Sequence, residues 1–511
     1  MAEGPVVVVG AGIAGLASAL HLAVRGVPVT VLERAPAPGG KLRQVPVGGA
    51  PVDCGPTVFT MRWVFDGLLA DAGLALDERL HLEPLSVLAR HAWSDRERLD
   101  LFADQARSAE AIGAFAGAAE ARRFLVFCRE ARRVYLALEG PYIRASRPSL
   151  AAMGRDLSLD GLAALAALGP FRSLWKSLAR HFRDPRLQQL FGRYATYCGS
   201  SPWLAPATLV LVAQVEMDGV WAVQGGMHAV ARMLAEAAAE RGAQFRYGAH
   251  CEGIVVRGGR AVGVRLGGGE ELAASEVIFN GDVAALRAGM LGDELRRAVP
   301  AARRAQRSLS ALTWAILGRT GGFPLLRHNV FFQPDYAAEF RDIFGAGRLP
   351  AKGTVYVCAQ DRTDAAEAPE QERLLCLVNA PAGGDRGAPN EQEMDRCERE
   401  CLALLNRCGL TIEASPQNRI RTGPPDFERL FPGTGGALYG QATHGWMSAF
   451  ARPGSSSRIP GLFLAGGSVH PGPGVPMAAM SGRLAAATLL AHRDSTSRSR
   501  RVVISGGTSM R

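Results

Sequence analysis

The residues of this chain that could do chemistry concentrate in two glycine-rich turns far apart in the sequence. The first is Gly10-Ala11-Gly12-Ile13-Ala14-Gly15, with an apolar run at 5–9 before it and Glu33 after it. Its glycines serve separate ends. Gly10 permits a tight turn out of a strand, Gly12 lets the backbone approach a diphosphate, and Gly15 lets helix and strand pack closely. A helix starting here aims free N–H groups and its positive dipole end at that diphosphate. Glu33, at the end of the next strand, is placed to accept hydrogen bonds from an adenosine ribose and would repel a 2′-phosphate. In a chain with 60 glycines a lone glycine match carries little. Strand before, helix after and acid in place together predict an adenine dinucleotide. Glu33-Arg34 then leads to Gly39-Gly40-Lys41-Leu42-Arg43 and Asp53-Cys54-Gly55-Pro56. An ordinary hairpin would also use Gly39-Gly40, but an excursion this long, with Arg43 able to meet phosphate or flavin, favours FAD over NAD. No second fingerprint provides a nicotinamide site, so the electrons must leave to another acceptor, of the quinone or oxygen kind.

The second turn is Gly466-Gly467-Ser468-Val469-His470-Pro471-Gly472-Pro473-Gly474-Val475-Pro476-Met477. Its glycines and prolines predict an abrupt strand-to-helix turn whose N-terminal amides face the pyrimidine side of a reduced flavin. His470 is the one candidate for proton transfer; a histidine before a proline more often holds the turn by a backbone hydrogen bond, and that reading is preferred. Cys397 and Cys401 share a helix face but have no histidine near them, so they read as small core residues, and no metal site is expected.

The elements that must position these residues follow from periodicity. Residues 5–33 pattern as strand, helix and strand, and short strands are expected at 244–247, 251–257, 261–266 and 276–280 as an antiparallel set. A buried strand precedes the second turn and a small-residue helix covers 477–490. From 91 to 211 the texture is helical and rich in Ala, Leu and Arg. The fold class is therefore α/β with α+β insertions: a discontinuous Rossmann-like FAD-binding domain of glutathione-reductase type at 1–90, 215–290 and 430–492, a substrate- and membrane-facing domain at 91–214 and 291–429, and a disordered tail at 493–511. The 511 residues carry 58 Lys+Arg against 48 Asp+Glu, a net charge of +10. Only Lys41, Lys176 and Lys352 are lysines, so the excess is arginine in an Ala- and Gly-rich chain, and no nucleic-acid partner is inferred. Nine cysteines without C-x-x-C fit a reducing cytoplasm. Neither a secretory signal nor an uncharged apolar run of about 20 residues is present, so membrane contact is expected to be peripheral.

The stretches 6–33, Gly39-Gly40, 53–56, Gly225-Gly226-Met227 and 466–476 together resemble the bacterial carotenoid desaturases, the phytoene desaturase family of FAD proteins. Coverage runs from residue 5 to about 490. Within that family, 55–66, 90–93 and 99–104 are most similar to the 1-hydroxycarotenoid 3,4-desaturases, also called methoxyneurosporene dehydrogenases. The resemblance implies that Gly10, Gly12, Ile13, Ala14, Gly15, Glu33, Arg34, Gly40, Lys41, Leu42, Arg43 and the segment Gly466, Gly467, Gly474, Val475, Pro476 and Met477 bind FAD; Ser468 stands where relatives often have Asp or Thr. It also implies carotenoid biosynthesis, with a C3–C4 double bond introduced into a membrane-dissolved, 1-hydroxylated acyclic carotenoid. Hydride loss beside a long polyene leaves a delocalised cation, so no strong acid–base pair is needed, only orientation of an apolar chain.

The segment 160–176 combines an apolar run with Phe171, Arg172, Trp175 and Lys176, the make-up of a segment resting in a lipid interface; a buried helical hairpin is the plain alternative. The interface reading implies a cytoplasmic protein peripheral on the inner or photosynthetic membrane. Competing functions are a phytoene- or neurosporene-type desaturase or carotenoid isomerase on an unhydroxylated polyene, a flavin amine or protoporphyrinogen oxidase, and a flavin-free prenyl-binding chaperone of the GDP-dissociation-inhibitor type.

Overall fold

In the computed structural model, described for residues 4–504 apart from 147–154, 156, 170, 302–305, 365–367 and 449, two sheets organise the chain. The first is wholly parallel, in the order Leu462–Leu464, Glu276–Phe279, Val6–Val9, Val29–Glu33 and Gln244–Tyr247. The four consecutive valines of its central strand serve both faces. Val6 and Val8 pack under the helices Ile13–Ala23 and His228–Glu240, and Val7 and Val9 under an antiparallel layer of Cys251–Arg257, Arg260–Leu266 and Glu271–Ala273. A continuously apolar strand is what burial on both faces requires. The expected antiparallel set at 244–280 is thus divided. Its first and last members join the parallel sheet, because Phe279 and Tyr247 pair with Val9 and Glu33 across long sequence separations that local patterning does not reveal.

The second sheet has eight strands, mostly antiparallel, in the order Thr411–Glu413, Ser310–Gly321, Glu372–Ala380, Val355–Ala359, His328–Phe331, Val87–Ala92 and Arg98–Phe102, with Arg419–Thr422 also pairing to Ser310–Gly321. The domain boundary expected at 90 falls inside Val87–Ala92, which belongs to this sheet. Helices Gln105–Ala116, Ala118–Leu138, Leu174–His181 and Pro185–Gly192 cover one side, around Phe124, Phe127, Phe182 and Phe191. The closing helix runs Val475–Ile504, past the expected tail boundary at 493. Arg493 in it is 8% exposed and ion-paired to Glu276 at 2.5 Å; residues 505–511 lie outside the described ones. Cys397 and Cys401 are buried in the core between the second sheet and Glu391–Arg407.

Candidate functional site: a dinucleotide cradle opening into an apolar cavity

The two glycine-rich turns meet. Gly10 lies at φ +102°, turning the chain between the first strand and its helix, and Gly39 bridges to Gly12, which brings the 39–43 excursion back over the helix start. A Cβ on Gly15 would stand 2.1 Å from the Gly10 carbonyl, and one on Gly40 3.1 Å from Gly12 Cα. These positions therefore admit backbone only. The helix Ile13–Ala23 begins at Gly12 with no side-chain cap, leaving its first N–H groups to a ligand. Glu33 is 9% exposed; its Oε2 accepts from Ala11 N–H at 2.8 Å and its Oε1 from Ala35 N–H at 2.8 Å. Two backbone bonds fix the carboxylate at the strand end with lone pairs to spare for ribose hydroxyls.

One cavity of about 1170 Å³ gathers almost every residue expected at the cofactor. Gly10, Gly12, Ile13, Ala14, Glu33 and Arg34 line it from the first turn, Gly40, Lys41, Leu42 and Arg43 from the excursion, and Gly466, Gly467, Gly474, Val475, Pro476 and Met477 from the second turn. Gly15 is not on the wall; it acts in the helix–strand contact. Arg43 donates to Thr422 Oγ1 at 3.1 Å while its buried Nε has no protein partner, and burial lowers its pKa. Lys41 Nζ donates to the Leu438 carbonyl at 2.6 Å, and burial lowers its pKa as well. Ser468 Oγ accepts from Val283 N–H at 3.2 Å, bracing the second turn against the neighbouring helix. A buried guanidinium short of a partner, uncapped helix amides and a cradle that excludes Cβ atoms fit an adenine dinucleotide carrying a flavin.

Sequence reasoning missed Arg452. It is 7% exposed, lines the same cavity and donates to the carbonyls of Gly467, Tyr439 and Gln441 at 3.1, 3.2 and 3.0 Å. It ties the second turn to 439–441, and burial lowers its pKa. His470 is not on the cavity wall. Its Nε2 donates to the Ala145 carbonyl at 2.9 Å, its ring meets Tyr142 edge-on at 4.9 Å, and burial pushes its pKa down to about 4. These contacts join the second turn to 142–145.

Beyond the cradle the same cavity continues between the second sheet and the helical cover, with Leu165, Leu168, Leu209, Val330, Leu375 and Phe450 on its walls. It reaches Trp446, which is 40% exposed and meets Phe171, 77% exposed, edge-on at 5.4 Å. The helix Leu159–Leu168 buries Gly161, Ala164 and Leu168 and leaves Leu159 and Leu162 outside. Trp175 differs from expectation: it stacks on Trp203 at 4.3 Å and packs inward, so Phe171 and Trp446 are the outward aromatics.

A slot that joins a dinucleotide cradle to a long apolar cavity defines a flavoenzyme acting on an extended apolar substrate. Residues 13–490 match the family described as flavin containing amine oxidoreductase, and the chain belongs to it. Its fold agrees with that of an oxidoreductase from Methanosarcina mazei at TM-score 0.59 and 16% identity, covering 94% of this chain and 98% of that one. Within the family the chain stands among the bacterial carotenoid desaturases, FAD-dependent oxidoreductases acting on CH–CH groups. It is 68% identical to a hydroxyneurosporene desaturase of Rubrivivax gelatinosus, over 99% of this chain and 97% of that protein. It is 29% identical to a 1-hydroxycarotenoid 3,4-desaturase of Flavobacterium sp., over 94% and 98% respectively. The flavin-free chaperone alternative falls with this membership. Among the described residues no helix is long and apolar enough to cross a membrane.

Proposed function

We propose that this enzyme introduces the C3–C4 double bond into acyclic carotenoids already hydroxylated at C1, taking them from a membrane surface. The observation that carries this is the continuity of the cofactor cradle with an apolar cavity that reaches an exposed apolar patch. The 68% identity to a hydroxyneurosporene desaturase supports the choice of substrate. Gly10, Gly12, Glu33, Lys41, Arg43 and the Gly466–Gly467 and Gly474–Met477 stretches hold FAD on this reading. Bound FAD supplies the acceptor for the hydride leaving the polyene. The protein's part is to align a long chain and to keep water from it: around Leu165, Leu209, Val330, Leu375 and Phe450 the cavity walls are aliphatic and aromatic. Electrons leave to a quinone or to oxygen.

Trp446, on the cavity wall, meets Phe171 edge-on, Leu159, Leu162 and Met447 are exposed apolar side chains on the same segments, and Lys176 and Arg180 are exposed a few residues after Phe171. Apolar side chains backed by cations suit an anionic bilayer, from which a carotenoid would pass into the cavity without crossing water. The test is incubation of flavin-loaded protein with liposomes carrying lycopene, neurosporene or their 1-hydroxy forms. The hydroxylated substrates should give red-shifted products; equal turnover of lycopene and 1-hydroxylycopene would refute the substrate assignment and leave the desaturase class standing.

A further inference from the structure

Beyond the cradle, the cavity wall formed by 193–216 carries a buried group of polar side chains. Arg193 is 8% exposed, lines the cavity, lies over the Tyr197 ring at 5.0 Å, and its Nε has no partner. Beside it, Tyr197 Oη donates to Glu216 Oε1 at 2.6 Å and Tyr194 Oη to Glu216 Oε2 at 2.7 Å. Burial pushes both phenols up, so they stay protonated donors. Tyr356, on the same cavity wall, is hydrogen-bonded to Thr57 at 2.7 Å. Thr57 stands two residues after Gly55, which packs so tightly on Lys41 that a Cβ there would stand 1.9 Å from the Lys41 carbonyl. Tyr356 and Thr57 thus lie on the same wall as the polar group and next to the turn that packs on Lys41.

Arg193 already bonds Tyr197, but its Nε N–H stays unmet and the phenol oxygen keeps a second lone pair, so this otherwise apolar stretch of wall holds hydrogen-bonding capacity that a hydrocarbon cannot use. By contrast Glu339, another buried carboxyl near this cavity, is already supplied by Thr354 N–H at 2.9 Å and Asn379 Nδ2 at 2.8 Å. An alcohol needs one donor and one acceptor. Its position is also constrained: with bonds of about 1.5 Å, a hydroxyl on C1 lies only about 4–5 Å from C4, so its partner must stand near the reacting bond. We propose that Arg193 and Tyr197, the latter held by Glu216, bind the 1-hydroxyl of the substrate and are the specificity-determining residues of this enzyme. The proposal rests on the hydroxylated-substrate reading above. Arg193 Nε donates to the hydroxyl oxygen, the hydroxyl donates to the second lone pair of Tyr197 Oη, and an unhydroxylated end leaves the buried Nε donor unmet.

The experiment compares kcat/KM for 1-hydroxylycopene and lycopene in liposomes, with wild type, Arg193→Met and Tyr197→Phe, each checked for flavin content. Wild type should favour the hydroxylated substrate by more than about 100-fold, as sites built to hydrogen-bond a hydroxyl do. Each variant should lose about 10- to 100-fold on the hydroxylated substrate and less on lycopene, collapsing the ratio. A merely structural role would lower both substrates together and keep the ratio. If Arg193→Met loses its flavin, Tyr197→Phe, which keeps the ring, decides the question. Discrimination in wild type that persists in the flavin-loaded variants overturns this assignment alone; no discrimination in wild type overturns the hydroxylated-substrate reading and the assignment with it.

Discussion

Replacing Leu159 and Phe171 together by serine isolates the contribution of the apolar patch to membrane binding. The two side chains are 87% and 77% exposed, so the fold does not depend on them, and thermal stability should change by no more than about 0.5 kcal/mol. Taking about 150 Å² for Leu and about 200 Å² for Phe, they present roughly 280 Å² of apolar surface, or about 7 kcal/mol if wholly withdrawn from water. At headgroup depth about half of that is realised, about 3.5 kcal/mol, a loss of roughly 400-fold in partitioning. The assay is co-sedimentation with anionic liposomes in high salt, where attraction between exposed cations and lipid is screened within a few ångströms and the apolar contribution remains. Binding by the double variant equal to that of wild type would refute the patch as the membrane contact. Leu165 and Leu168 are unsuitable for this test because both line the cavity.

Gly12→Val should abolish FAD retention, because the added side chain occupies the diphosphate approach beside Asn280; flavin absorbance of the purified variant reads this directly, and normal content would refute the cradle. His470→Gln, which can still donate to the Ala145 carbonyl, should keep kcat within about 10-fold, whereas a proton-transfer role would cost about 10²–10⁴-fold. The same histidine makes stability pH-dependent: the unfolded form takes up a proton near pH 6.5 and the folded one only near pH 4. Stability is thus full above pH 6.5 and falls as pH drops toward 4, by up to about 1.4 kcal/mol per unit. Denaturant midpoints measured across that window should fall less steeply in His470→Gln; an unchanged slope would contradict the assignment.

The cradle is legible in the sequence because its logic is local. Gly10, Gly12, Gly15 and Glu33 act within one strand–helix–strand unit, and the Gly/Pro pattern of 466–476 fixes its own turn. The rest depends on distant partners. Membership of 244–247 and 276–279 in the parallel sheet follows from pairing with strands more than two hundred residues away in sequence. Arg193 and Tyr197 sit in a helical-looking stretch where an arginine and a tyrosine read as an ordinary face, and only their meeting with Glu216 on a largely apolar cavity wall gives them meaning. Arg452 has no local signal beyond a lone arginine before Pro453. Trp175 departs from its expected place for a related reason: composition marks an aromatic next to cations as interfacial, but Trp203 offers it a better partner.

The most direct test of the central claim mixes flavin-loaded protein without oxygen with 1-hydroxylycopene in anionic liposomes and follows flavin and carotenoid absorbance in the same cuvette. Bleaching of the flavin is expected with a matching red shift of the carotenoid, one conjugated bond gained per flavin reduced, and little of either with lycopene. A flavin that stays oxidised with the hydroxylated substrate would contradict the desaturation proposed for this enzyme.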